Sequence, residues 1–181
     1  MFGFALAGAG AACQSDFLKE KRLVQNSLHT LENAGWRDLG DLRNLEVVCF
    51  QEDAWSLWDL ISILTLPGII RIKAVVDDRL AGFVAGDPHP DENTGWITTI
   101  GVLPVFQRQG IGRELLERCE AAMEQRFVRL CVRRSNLPAL AMYEQTGYTQ
   151  VTTWQKYYRS GEDALVLEKD RTRVGKSLKE I

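Results

Sequence analysis

Trp96-Ile97-Thr98-Thr99-Ile100-Gly101-Val102 is followed, after Pro104, by Gln107-Arg108-Gln109-Gly110-Ile111-Gly112. A β-branched, apolar run here gives way to a glycine-flanked turn. Beyond the turn, apolar residues recur at Ile111, Leu115, Leu116, Cys119, Ala122 and Met123, and this stripe predicts a helix over 111–126. Two glycines at a strand-to-helix junction leave backbone N–H groups uncovered where the helix dipole is positive. A phosphate or pyrophosphate is the ligand such a turn accepts. The spacing excludes two common phosphate loops. No Lys follows the glycines as a P-loop needs, and Leu115 stands where a dinucleotide fingerprint needs its third glycine. What remains is Gln-x-x-Gly-x-Gly behind Val102-x-Pro104.

A second block reads Asn136-Leu137-Pro138-Ala139-Leu140-Ala141-Met142-Tyr143-Glu144-Gln145-Thr146-Gly147-Tyr148. Asn136 is a good N-cap, Pro138 fits the first turn, and Gly147 ends the helix. Ala139 and Tyr143, four apart, share one face. Taken alone, Tyr143 reads as a core aromatic as readily as a reactive phenol.

Together the two blocks resemble the GNAT (GCN5-related) N-acetyltransferases, whose pattern at the second block is Asn-x-x-Ala-x-x-x-Tyr-x-x-x-Gly-Phe/Tyr. The resemblance implies an α/β fold: a mixed central sheet of six to seven strands with a splayed parallel pair and flanking helices. It implies acetyl-CoA as co-substrate and no metal. The backbone of Gln107, Arg108, Gln109, Gly110, Ile111 and Gly112 then holds the pyrophosphate. Val102 pairs with the pantetheine arm, Asn136 contacts that arm, and Tyr143 protonates the leaving thiolate. The closing Lys156-Tyr157-Tyr158 and Gly161-Glu162-Asp163-Ala164 are similar to the last hairpin of N-terminal protein acetyltransferases, including the ribosomal-protein alanine acetyltransferases. Leu130-Cys131-Val132-Arg133 and Cys49-Phe50 with Trp55 point the same way. Phe50, Trp55, Thr99, Cys131, Tyr157 and Tyr158 are therefore the expected acceptor-binding residues. The implied activity is acetyl transfer to a primary amine, above all a protein or peptide N-terminal α-amine. A small-molecule amine, a lysine, or an idle acyl-CoA-binding module are the alternatives.

One departure concerns the base. Relatives carry Glu or His where this chain has Cys131, and 96–102 offers only Thr98 and Thr99. No standard general base is visible. A thiol near pKa 8.5 is a poor substitute. A water held by the threonines is one way out. A low-pKa acceptor is another: an α-amine titrates near 7.7–8.0 and a Lys near 10.4.

Composition narrows the rest. The 181 residues, 45% hydrophobic and 25% charged with net charge −2, suit one globular domain and give no reason to expect nucleic-acid or membrane partners. Cys13, Cys49, Cys119 and Cys131 have no metal-ligand spacing, so reduced thiols in a cytoplasmic protein are expected. Residues 1–14 are small and apolar, yet no Lys or Arg precedes them, so an unstructured start is favoured over a secretory leader.

The expected organisation is an N-terminal extension over 1–35, an acetyltransferase domain over 36–169 and a polar tail over 170–181. In the extension a helix runs from Ser15 to about Asn33, an arm free to pack on the domain or on a second copy in a homodimer. A strand at 36–39, helices from Asp41 to Phe50 and from Ser56 to Leu66, and a hairpin over 69–76 and 80–86 follow. After a polar loop at 87–95 come the strand at 96–102 and the helix at 111–126. A strand at 127–132, the Asn136 helix and a hairpin over 149–158 and 163–169 complete the domain.

Overall fold

The computed structural model describes residues 29–172. Its seven strands form one sheet, in the order β1-β2-β3-β4-β5-β7-β6. They are β1 (Thr30–Asn33), β2 (Ile70–Val76), β3 (Arg79–His89), β4 (Thr94–Val102), β5 (Phe127–Arg133), β6 (Thr149–Trp154) and β7 (Ala164–Asp170). Only β4 and β5 run parallel, so the sheet is of the expected mixed type. Four helices flank it: α1 (Leu39–Phe50), α2 (Leu57–Thr65), α3 (Ile111–Ala121) and α4 (Leu137–Gln145).

Alternation along the strands divides the core between the two faces. On one face, Ile111, Leu115, Leu116 and Cys119 of α3 meet Ile72, Val84, Ile97, Val128 and Leu130, with Tyr143 and Tyr148 alongside. On the other, Leu42 and Leu45 of α1 and Ile63 and Leu64 of α2 pack on Phe83 and Ala85 of β3. Gly101 lets α1 approach β4 closely, since a Cβ there would meet Leu45 at 2.9 Å.

Several expectations change. The helix from Ser15 lies outside the described residues as far as residue 28. At its predicted end, Thr30–Asn33 is a strand, pairing with Val75–Ile72. The free edge of β2 overrides the local helical pattern, and the sheet begins before residue 36. Residues 36–38 form a 3₁₀ turn rather than a strand. Asp38 anchors it, accepting from Gly35 N at 2.8 Å and Lys73 Nζ at 2.8 Å, so α1 begins at Leu39 rather than at Asp41. The 87–95 loop shrinks to a turn at Pro90–Asn93. β3 continues to His89 opposite Thr94, and Asn93, at φ 50°, makes the reversal. The α3 helix stops at Ala121. The last hairpin's first arm stops at Trp154, because Lys156 turns at φ 50° and its N–H reaches Asp163 Oδ1 at 3.0 Å. Tyr157 and Tyr158 therefore sit in the loop, not in a strand.

Candidate active site

The parallel pair holds from Thr94 opposite Phe127 only to Ile97 opposite Leu130. From there β4 stays with β3, and β5 stays with β7. A β-bulge marks the parting: Ala85 faces Thr99 and Gly86 faces Ile97, leaving Thr98 as the extra residue. Its hydroxyl donates to Ala85 O at 3.1 Å. Two cavities of about 430 and 370 Å³ open at the gap and share Ile100, Asn136, Ala139 and Tyr143. The site is thus two chambers meeting at one wall.

The larger chamber contains the glycine turn. Val102, Gln107, Arg108, Gly110 and Gly112 line it, with Asn136 and Tyr143 at its inner end. Gly110 adopts φ 88° immediately before α3, a left-handed conformation that favours glycine. No side chain caps α3. The glutamines brace the turn instead of covering it: Gln107 Nε2 donates to Val102 O at 2.9 Å and Gln109 Nε2 to Val105 O at 3.3 Å. Arg108 and Arg113 add positive charge at the rim. Two of the expected ligand residues contribute little beyond their backbone. Ile111's side chain is buried in the core, and Gln109's side chain is tied to Val105. Leu103 N bonds Ala81 O, so alternation turns the N–H and C=O groups of Ile100 and Val102 away from β3, toward the gap β5 has left.

All six expected acceptor residues line the smaller chamber: Phe50, Trp55, Thr99, Cys131, Tyr157 and Tyr158. So does one that the sequence reading missed. Glu46, on α1, is 1% exposed and faces this chamber. Its Oε1 accepts from Thr99 Oγ1 at 3.0 Å and its Oε2 from Trp55 N at 3.3 Å. Among the described residues no Lys or Arg pairs with it, and burial raises its pKa above the ordinary 4.5, against the lowering effect of those two hydrogen bonds. The expected lack of a carboxylate is therefore corrected. The chamber has one, supplied by a helix rather than by β4 or β5. The threonines do not act as a free water-holding pair, since one hydroxyl donates to Glu46 and the other to Ala85. Cys131 is a neutral thiol, pushed up to about 11 by burial.

A charge cluster lines one side of the chamber. Arg133, at the end of β5, pairs with Asp53 from the α1–α2 loop and with Glu162 at 2.7 Å from the β6–β7 loop. Its guanidinium lies 4.1 Å from the Tyr158 ring centroid. Arg159 N adds a bond to Asp53 Oδ1 at 3.1 Å. The two loops are thereby tied to each other across β5.

Tyr143, 4% exposed, borders both chambers, and its ring meets Tyr148 edge-on at 5.7 Å. Burial raises its pKa, with Tyr158 adding to the effect, so the phenol keeps its proton throughout the neutral range. Asn136 caps α4 through Ala139 N at 3.3 Å and stands at the same junction.

Glu46 carried a readable signal. It falls four residues after Leu42 and four before Phe50, on the apolar stripe of α1, where a carboxylate is out of place. The Asp53–Arg133–Glu162 cluster carried none, because its members lie in three separate segments. Among the described residues no three His, Cys, Asp or Glu side chains gather as a metal site, and no helix is long and apolar enough to cross a membrane.

Comparison with known proteins agrees with this geometry. The acetyltransferase (GNAT) family profile matches residues 28–148. The NAA10 catalytic subunit of the N-terminal acetyltransferase A complex of Arabidopsis thaliana is 31% identical over 140 residues, 74% of this chain and 73% of that protein. The [ribosomal protein bS18]-alanine N-acetyltransferase of Salmonella typhimurium is 38% identical over 104 residues, 54% and 69% of the two chains. The crystal structure of the corresponding Escherichia coli enzyme superposes with a TM-score of 0.70 at 26% identity, covering 79% of this chain and 94% of that one.

Proposed function

Because this chain belongs to the GNAT family of acetyltransferases and is an acetyl-CoA-dependent N-acetyltransferase, we propose that its acceptor is the α-amine of a protein or peptide N-terminus. The observation that carries this reading is the smaller chamber, a space of about 370 Å³ with a buried carboxylate at its wall and two tyrosines of the β6–β7 loop among its lining. The named activities of its relatives, on protein N-termini and on a ribosomal-protein alanine, support it.

The chemistry then follows the chambers. The N–H groups of 107–112 hold the pyrophosphate, and the free edge of β4 around Val102 guides the pantetheine arm to the junction. The amine enters from the smaller chamber. Its nitrogen attacks the thioester carbonyl, and Glu46 accepts the proton that the nitrogen loses. N–H groups on the β4 edge stabilise the oxygen as negative charge develops there. Collapse breaks the C–S bond, and Tyr143 gives its proton to the departing thiolate. A hydrogen bond from Thr99 and one from Trp55 hold Glu46 in place while leaving it lone pairs for the amine. An acceptor of pKa about 7.7–8.0 suits a single modest base far better than a lysine near 10.4. Free thiols at Cys49, Cys119 and Cys131 fit a cytoplasmic setting.

A panel of peptides with free α-amines, α-blocked lysine peptides and small amines, incubated with acetyl-CoA, tests the reading. Thiol release should occur with the free α-amines, with mass spectrometry placing the acetyl group on the first residue. Turnover confined to blocked lysine peptides or to small amines overturns it.

A further inference from the structure

Four aromatic rings leave the acceptor chamber in single file. Tyr158 and Tyr157 line it, their centroids 5.2 Å apart and their planes perpendicular. Trp154, the last residue of β6, stands 5.3 Å beyond Tyr157. Trp96 of β4 stacks on Trp154 at 5.9 Å with the planes 26° apart. The row runs from the loop across the face of the sheet. Its outer members remain open to solvent: Tyr157 is 54% and Trp154 39% exposed, and Trp96 is half-buried. A connected strip of large exposed rings is unusual on a surface with no partner. Two of the arginines beside it are already paired. Arg129 pairs with Glu168 at 2.7 Å, and Arg133 is held by Asp53 and Glu162. The strip offers mainly apolar ring surface, with the exposed Lys156 at its edge.

We propose that the Tyr157–Trp154–Trp96 row is an extended subsite for the acceptor polypeptide, binding the residues that follow the acetylated one and favouring apolar side chains among them. This rests on the α-amine reading given above. A chain whose first residue sits beside Glu46 can reach solvent past Tyr157, which lines the chamber and is 54% exposed, and the row starts at that ring. An extended chain advances ~3.3 Å per residue. Each ring-to-ring step thus spans between one and two residues, and the row reaches from the second residue to roughly the fifth. Flat aromatic faces accept varied apolar side chains without demanding one sequence. The row selects for a polypeptide over a free amino acid or small amine.

The test is a series of peptides with one fixed first residue, lengthened from two to seven residues, with either apolar residues or serines at positions two to five. With the wild-type enzyme kcat/KM should climb with length and level off near five residues, more steeply in the apolar series. Trp154→Ala should lower kcat/KM for the five-residue apolar peptide about tenfold, a few ring contacts' worth, and leave the dipeptide unchanged. Trp96→Ala should act only on peptides of four residues or more. Trp154→Leu, which keeps bulk at the end of β6, should fold like the wild type and lose the same selectivity. A wild-type profile flat in length overturns the subsite. So does a Trp154 variant that weakens dipeptide and long peptide alike, because the ring then only supports the loop. Failure of every peptide, short or long, refutes the α-amine reading itself and removes the subsite with it; turnover of dipeptides separates the two cases.

Discussion

Glu46→Gln takes the charge from the acceptor chamber while keeping its shape. The amide carbonyl still accepts from Trp55 N, and the Thr99 hydroxyl turns to accept from the new NH₂. An α-amine of pKa about 7.7–8.0 is neutral in roughly one molecule in six to eleven at pH 7. In the wild type Glu46 can pass the ammonium's proton to solvent before the attack, so the ammonium majority is usable as well. The variant works only from the neutral minority. This difference lowers kcat/KM about 6–11-fold at pH 7 and hardly at all at pH 9, where the amine is already neutral. Loss of proton acceptance in the transition state multiplies the deficit at every pH, by up to about 10²–10⁴. The deficit should therefore be about five- to tenfold larger at pH 7 than at pH 9. Initial rates of thiol release across that range, at saturating acetyl-CoA, read it, and calorimetry should show acetyl-CoA affinity unchanged. A loss below threefold at pH 7, or a deficit independent of pH, refutes the base and leaves Glu46 as an anchor for the Trp55 loop. Stability should move the other way. Burial holds the Glu46 pKa above its unfolded value, so the folded protein binds this proton more tightly than the unfolded chain does. The contribution is most favourable below about pH 4.5 and is lost as pH rises through the folded pKa. The uncharged variant should thus melt higher than the wild type at pH 8 and converge with it near pH 4.

Gly110→Asp should abolish CoA binding by calorimetry. A Cβ there has open space around it, so the loss reports the strained φ of 88° and the negative charge rather than a clash, and Gly110→Ala should lose less. Tyr143→Phe should keep acetyl-CoA affinity and lower kcat by about 10²–10⁴; a change under threefold from pH 6 to 9 makes Tyr143 a packing residue. Cys131→Ala should retain most activity, because a thiol with its pKa pushed up to about 11 does no acid–base work near pH 7; a hundredfold loss with binding intact would reverse that. Lys169→Met should destabilise the fold by about 3–5 kcal/mol in urea titration. It strands the buried Glu120, which Lys169 Nζ holds at 2.6 Å while Tyr148 Oη donates to it at 2.8 Å.

The glycine turn and the Asn136 helix were legible because each rests on local spacing, whereas the splayed strands were expected only through the family resemblance. Gly110 at φ 88° and Asn136 as N-cap follow from which residue types those conformations admit. The elements that moved depend on distant partners. Thr30–Asn33 carries a helical stripe and becomes a strand only because β2 presents an open edge. Residues 36–38 turn because Asp38 finds Lys73, 35 residues away. Glu46 was passed over for a related reason. Neither β4 nor β5 carries a carboxylate that lines the chamber, and the one that does comes from α1 on another wall.

The bulge at Thr98 joins these observations. Ile97 faces α3 and packs with Leu115 and Leu116 in the larger core. Strict alternation from Ile97 would send Thr99 and Gly101 to that same face, and Ile100 and Val102 to the α1 face. The extra residue inverts the order. Thr99 meets Glu46 of α1, Gly101 lies beneath Leu45, and Ile100 and Val102 join the α3 side. Without the inversion an isoleucine would press on the α1 helix where Gly101 now allows close approach, and Glu46 would lose the hydroxyl that holds it. The bulge also falls where β4 last touches β5, so the residue that turns Thr99 toward Glu46 is the one at which the gap between the two strands opens. Two adjacent threonines give no hint in the sequence of which is the extra one. The partners do: Thr98 bonds back to its own sheet, and Thr99 bonds across to the helix. A single inserted residue thus coincides with the parting of β4 from β5 and turns Thr99 toward the candidate base.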